Sequence, residues 1–437
     1  MKKLIVIDIV GLTTKHLSQV PLPNISRIFE NSVKVPIIPS FPAVTCSVQA
    51  SMNTGFFPCD HGIISNGFFD RDTRMVSFWE QYDSLVERPR VWSLLKKNNP
   101  KLKTAVLFWQ NSLYTDADIV ITPKPIHLEK EMISWCYSKP IDFYEEIAKE
   151  YGEFDLSSYW GPFASIKSSK WIINSAKYTI QKHKPDLIMV YIPHLDYAGL
   201  KYGPNSNEFK TSLIEVDELI GDLHDFLLSN DFLNDYEIML VSEYSFEEVH
   251  QSISPNVILR DEGLLSTRKI NEKHYIDFEF SKAFAMVDHQ VAHVFIKNGF
   301  EEQVKNIFEK NNSIAKVLDK KQQIEYKINH PKSGDLILCA KDDSWFNYYW
   351  WKDITEAPDF AFKVDIHRKP GFDPLELFID PSKKTISHDT SLVKGSHGLV
   401  KKKKLENLPV LCFTHNFKKI PDLLNVTQIT QIILEFF

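Results

Sequence analysis

The stretch "DLIMVYIPHLDYAGLKYGP", residues 186–204, runs apolar without interruption from Leu187 to Ile192 and then turns polar, reaching an acid at Asp196. A strand with one wet face alternates polar and apolar residues. A strand apolar throughout is covered on both faces, the habit of parallel strands in α/β sheets. Four more runs have the same character: "KLIVIDIV" (3–10), "TAVLFW" (104–109), "YEIMLVSEYS" (236–245) and "LPVLCFTH" (408–415). All five are read as buried parallel strands. Between the third and fourth in chain order, Leu213, Val216, Leu219, Ile220, Leu223, Phe226 and Leu227 form one stripe and predict an amphipathic helix over about 208–229. A second helix is expected after Asn425, with Gln428 three residues on as its capping partner.

This alternation predicts an α/β fold, a doubly wound, mostly parallel sheet sandwiched by helices. Ligands of such sheets gather at the carboxyl ends of the strands. Asp8, Asp196 and Glu243 each close an apolar run, so three carboxylates are expected to converge there. Residues 250–345 mix short strands and helices with many Lys and Glu and are read as a smaller α+β lobe inserted into the core, which comprises 1–249 and 346–437. The aromatics of 125–172 (Trp135, Tyr144, Tyr159, Trp160 and Trp171) fit either a substrate rim or a covering helical layer.

With 437 residues, 43% of them hydrophobic and 25% charged, the chain can bury a large core. Its net charge of −6 argues against a general nucleic-acid binder, which wants a basic face. The basic run Lys401–Lys404 reads as a solvated loop. Five scattered cysteines without a CxxC pair exclude a cysteine-based zinc site and fit a reducing compartment. "MKKLIVIDIVGL" begins like a signal peptide, but Asp8 cuts its apolar run, and no stretch suits a bilayer. The expectation is a cytoplasmic protein without membrane or nucleic-acid partners.

Converging carboxylates and imidazoles are what a divalent cation needs. The candidates are Asp8, Asp196, Glu243 and His397, with His194, His289, His293 and His367 in reserve. Thr45 opens a helical stretch, "TCSVQASMNT", and a hydroxyl becomes a nucleophile when a cation or base lowers its pKa. Two cations about 3.5–4 Å apart suit an in-line displacement, with Asn66 donating to the transferred group's oxygen. Buried acid–histidine pairs also occur as purely structural features, and the residue types alone leave both readings open.

Together "VIDIVGL", "IPSFPAVT…TGFFPCDHGIISN", "PHLDYAGLKYGP", "VSEYS" and "GSHGL" resemble the alkaline phosphatase superfamily, above all its nucleotide pyrophosphatase/phosphodiesterase branch. The resemblance runs in family order from residue 4 to about 415. It implies an alkaline phosphatase-like fold, metal ligation by Asp8, Asp196, Glu243 and His397, a nucleophilic and metal-bound Thr45, and a phosphoryl-binding Asn66 twenty-one residues later. It further implies a hydrolase of phosphodiester or pyrophosphate bonds in small molecules. Such an enzyme works through a covalent threonine intermediate with two divalent ions, zinc first, manganese or magnesium as alternatives.

The departures are specific. The family's "D-x-x-G-H" histidine is Leu200, and its "S-D-H-G" reads Ser242-Glu243-Tyr244-Ser245, so one imidazole is missing from each metal site. Two dense polar segments offer replacements: "VDHQVAH" (287–293) with Asp288, His289 and His293, and "VDIHRKPGFDP" (364–374) with Asp365 and His367. Arg368 or Lys369 of the latter could clamp a substrate phosphate. A degenerate relative that binds a phosphorylated ligand without turnover is the alternative. A sulfatase is disfavoured, because Val48 and Ala50 stand where a formylglycine motif around Cys46 needs Pro or Ala and Arg.

Overall fold

The structure, a computed structural model, describes residues 2–128, 132–401, 404–415 and 420–437, so Lys402 and Lys403 of the basic run lie outside the described residues. Nine strands form the main sheet: β1 (Lys3–Ile9), β2 (Val33–Ile38), β3 (Thr104–Leu107), β4 (Ile119–Pro123), β5 (Cys136–Lys139), β6 (Leu187–Ile192), β7 (Tyr236–Val241), β12 (Val410–Phe413) and β13 (Leu424–Asn425). Four further strands, β8 (Ala283–Asp288), β9 (Val291–Ile296), β10 (Ile314–Leu318) and β11 (Leu336–Ala340), make a separate antiparallel sheet in the order β8-β9-β11-β10.

The main sheet runs β13-β2-β12-β7-β1-β6-β3-β4-β5. Its centre, β7-β1-β6-β3-β4, is parallel. The run at 408–415 does form a strand, β12, but an antiparallel one, against both β7 and β2. Continuous apolarity reports covering on both faces; direction is set by the connection, and β12 is reached only after the second sheet and a long irregular passage. Helices relevant below are α1 (Thr45–Thr54), α2 (His194–Tyr202), α3 (Asn207–Ser229) and α4 (Gln428–Phe436).

The predicted helix at 208–229 is α3, capped by the Ser206 hydroxyl accepting from the Phe209 N–H at 3.0 Å, with Leu213, Val216, Leu219, Ile220, Leu223 and Leu227 buried. In α4 the cap is Thr427 rather than Asn425, although Gln428 Oε1 does reach back to the Asn425 N–H at 2.8 Å. The aromatics Trp135, Tyr144 and Trp171 pack on one another, and the Trp171 indole N–H donates to the Gly152 carbonyl, so these three belong to the covering layer. Among the described residues no helix is long and apolar enough to cross a membrane.

β1 lies between β7 and β6 in the parallel block, and Leu4, Ile5, Val6, Ile7 and Ile9 have no solvent exposure. Burying each contributes about 1.5–3 kcal/mol. The same burial surrounds Asp8, whose charge must then be met by neighbours or by an ion, since an unpaired buried carboxylate costs far more than one such contact.

Candidate active site

Asp8 is the penultimate residue of β1, paired in register with Tyr191 of β6 and Val241 of β7. Glu243 lies two residues beyond β7. Asp196 differs from the sequence expectation: β6 stops at Ile192 and Asp196 sits in the first turn of α2, not at a strand end. Thr45 is the first residue of α1, and His397 follows the short strand Gly395–Ser396.

The Gln49 side chain, one turn along α1 from Thr45, stands between the first two carboxylates. Its Nε2 donates to Asp8 Oδ2 at 3.1 Å and to Glu243 Oε1 at 2.8 Å, while its Oε1 accepts from the Gln110 N–H at 2.8 Å. The backbone donor at Gln110 fixes which way the amide points. Burial pushes the Asp8 carboxyl up to about 7, and burial together with Asp8 pushes Glu243 well above the usual carboxylate range. Two acids that resist ionising together, with no cationic side chain between them, form a cation-hungry pair.

Thr45 Oγ1 is 3.0 Å from the Tyr244 hydroxyl. The Tyr244 hydroxyl donates to Asp196 Oδ1 at 3.1 Å, which leaves its oxygen to accept from Thr45. Burial raises Tyr244 far above its ordinary pKa and Asp196 to about 6, so at neutral pH a protonated phenol faces a carboxylate. His397 Nε2 is 3.8 Å from Asp196 Oδ1, and its Nδ1 donates to the Ala43 carbonyl at 2.8 Å. Burial, and then His289, hold His397 well below its usual value.

Asn66 is fixed from two sides. Its Oδ1 accepts from the Cys46 N–H at 2.9 Å, and its Nδ2 donates to Asp288 Oδ1 at 3.1 Å. No hydrogen bond among the described residues uses the second Nδ2 hydrogen.

The remaining sequence candidates are placed as follows. His289 packs between His397 and Phe372, with ring centroids 3.7 Å away on both sides. His194 bonds Glu215 at 2.7 Å. Both His293 nitrogens are used, by the Ile64 carbonyl and the Gly334 N–H, as expected of a structural histidine. His367 is exposed on the loop 364–373. Arg368 is half exposed and pairs with Asp365 and Asp359. Lys369, read from sequence as a phosphate clamp, is buried and bonds the Lys363 carbonyl, Asp373 and Glu376. All three of its hydrogens are thereby spent within the loop that carries Phe372. Gln49 is the residue of this cluster that sequence reading missed; its one signal is a long amide one helical turn after Thr45.

Among the described residues no three His, Cys, Asp or Glu side chains already form a cation cage. The donor set nonetheless fits cations. Asp8 Oδ1, Glu243 Oε2, His289 Nε2 and His397 Nε2 are all buried and have no hydrogen-bond partner among the described residues. Orphaned buried acceptors are rare and ask for an occupant.

Comparison with known proteins shows the fold and the family. The fold is shared with an inactive threonine-to-alanine variant of murine ectonucleotide pyrophosphatase/phosphodiesterase 5 in complex with AMP (TM-score 0.63, 16% identity, covering 100% of this chain and 94% of that one). It is shared equally with a phosphonoacetate hydrolase of Sinorhizobium meliloti in complex with phosphonoformate (TM-score 0.63, 13% identity, 100% and 95% covered). The family described as type I phosphodiesterase / nucleotide pyrophosphatase matches residues 4–373, and the chain belongs to that family. A relative in Schizosaccharomyces pombe, an uncharacterized pyrophosphatase/phosphodiesterase, is 24% identical over 253 residues, 55% of this chain and 44% of its own length. The matched part thus spans less than half of that relative.

Proposed function

We propose that the protein is a metal-dependent hydrolase of small-molecule phosphoric esters, cleaving phosphodiester or pyrophosphate bonds through a covalent intermediate on Thr45. The observation that carries this reading is the position of Thr45 Oγ1 at the start of a helix, 3.0 Å from the Tyr244 hydroxyl that donates to Asp196. Family membership and the AMP complex of a structural relative support it.

Asp8, Glu243 and Thr45 would hold one divalent ion, and Asp196 with His397 a second; zinc suits these oxygen and imidazole donors best. Such ions lower the pKa of the attacking hydroxyl and neutralise charge on the phosphoryl oxygens. Gln49 holds one oxygen of Asp8 and one of Glu243 and leaves Asp8 Oδ1 and Glu243 Oε2 unused among the described residues. Thr45 Oγ1 attacks phosphorus and its proton passes to the Tyr244 oxygen, whose own hydrogen moves to Asp196 Oδ1. The bond to the leaving oxygen breaks, and that oxygen departs with the electron pair. The free Nδ2 hydrogen of Asn66 and the N-terminus of α1 meet the developing negative charge. Water then cleaves the Thr45–phosphorus bond from the phosphorus side and returns the hydroxyl.

Acid-quenched samples turning over a chromogenic phosphodiester test this reading. Phosphorus bound covalently to wild type and absent from Thr45→Ala is expected; equal labelling of the variant, or its undiminished turnover, would rule it out.

A further inference from the structure

Trp79 stands directly across from Asn66, in a backbone conformation that bulky residues ordinarily avoid. We propose that Trp79 is a specificity-determining residue, its indole forming the wall against which the alcohol group retained on phosphorus packs. That wall selects phosphoric esters carrying a planar aromatic group over those carrying a small alkyl one. This rests on the reading above of Thr45 as the nucleophile of a phosphoric-ester hydrolase.

The first support is strain that the surroundings enforce. The strands Gly67–Asp70 and Met75–Phe78 pair antiparallel, Gly67 opposite Phe78, and one step further the Trp79 N–H donates to the Asn66 carbonyl at 3.0 Å. Trp79 has a φ of +61°. Glycine and asparagine favour that left-handed region, and a bulky residue persists there only where its neighbours over-determine it. Here they do. The Trp79 carbonyl accepts from Gln81 Nε2 at 3.1 Å, and the Glu80 carbonyl accepts from Asn111 Nδ2 at 2.7 Å. Gln81 Nε2 also donates to Gln110 Oε1 at 2.6 Å, and the Gln110 N–H is the donor that fixes Gln49. The groups that hold the strained tryptophan are thus continuous with the amide that clamps Asp8 and Glu243.

The second support is placement. A turn alone would be served by glycine, and a core role alone would bury the ring, as it buries Trp92 and Trp109 completely. Trp79 is only half-buried. It packs on the cluster of Cys46, Ala50, Ile63 and Val86, two of them on α1 beside Thr45. Its ring also meets Phe372 at a steep angle of 66°, centroids 6.2 Å apart, and Phe372 stacks on His289 next to His397. The indole therefore spans from the helix of the nucleophile to the histidine side of the site. In-line attack by Thr45 expels an alcohol on the far side of phosphorus, so a group lying alongside Asn66 is the one that stays. An indole gains stacked or edge-on contact with an aromatic ring beyond the apolar area buried, and a methyl group offers no such contact.

The test uses two chromogenic diesters with the same leaving group, bis(4-nitrophenyl) phosphate and methyl 4-nitrophenyl phosphate, turned over by the zinc-loaded protein. Wild type is expected to show the lower KM for the aryl diester. Trp79→Gly and Trp79→Asn both suit the left-handed turn. In either, the aryl-to-methyl ratio of kcat/KM should fall by roughly tenfold, the loss lying in KM rather than kcat. Trp79→Phe keeps a flat ring and should restore most of the ratio. Competition reads the same preference without any variant: phenylphosphonate should inhibit wild type at a lower concentration than methylphosphonate. Equal inhibition by the two phosphonates would overturn the role of Trp79 while leaving the hydrolase reading intact, and so would an unchanged ratio in a variant of unchanged melting temperature. A wild type that cleaves neither diester would overturn both.

Discussion

Tyr244 lies flat against His397, with ring centroids 3.7 Å apart and planes within 9° of parallel. His397 in turn packs on His289 and His289 on Phe372, so four rings form one pile at the carboxyl end of the main sheet. The residue that replaces a family histidine therefore has two duties. Its ring supports an imidazole, and its hydroxyl joins Thr45 to Asp196.

Tyr244→Phe separates those duties. The ring pile survives and the hydroxyl bridge is lost. Turnover should fall by about 10²–10⁴ if Tyr244 relays the Thr45 proton, with little change in melting temperature. A variant at wild-type kcat would limit Tyr244 to packing.

Gln49→Leu removes the amide that clamps Asp8 and Glu243. Isothermal titration with zinc should show affinity at that site weaker by about 10–100-fold, the usual effect of losing an orienting partner. Unchanged titration curves would show that the carboxylates orient themselves.

Stability should depend on pH in a way that zinc abolishes. The Asp8 and Glu243 carboxyls are held above their unfolded values, so the folded state binds extra protons and loses stability as pH rises towards and through about 7. His397 is shifted down and acts the other way, but only below its unfolded value near 6.5. In chelator the melting temperature should accordingly decline from pH 6.5 to 8, and zinc should flatten that slope. A rise across the same interval would contradict the cation-hungry pair.

Gly395→Ala is expected to cost about 3 kcal/mol or more, measured by urea unfolding. An added Cβ would meet the Gly199 carbonyl oxygen at 2.1 Å, a backbone atom of α2 that cannot step aside. The clash lies between the helix bearing Asp196 and the strand leading to His397, so zinc binding at the second site should weaken in parallel.

β1, β3, β6 and β7 were legible because each is built on an unbroken apolar run. β2, β4 and β5 were not recognised: Val33–Ile38 carries Lys34 and Pro36, and Ile119–Pro123 and Cys136–Lys139 are short, so none shows a long unbroken run. The direction of β12 was lost because burial and direction are separate properties. At the site, Asp8, Thr45, Glu243 and His397 were legible from strand ends and family motifs. Gln49 was not, since a glutamine inside a helix carries no signal of what it faces. Lys369 misled for the opposite reason: a basic loop residue reads as a phosphate ligand until Asp373 and Glu376 are seen to consume it.

The hairpin that brings Asp288 and His289 to Asn66 also sets a schedule for the growing polypeptide. Asp8 and Thr45 leave the ribosome first, while the donors they depend on follow hundreds of residues later, His397 last among them. A nascent chain halted at any earlier codon carries an incomplete centre however well its first strands have paired. The cluster of donors is thus complete only once the chain has been made through His397.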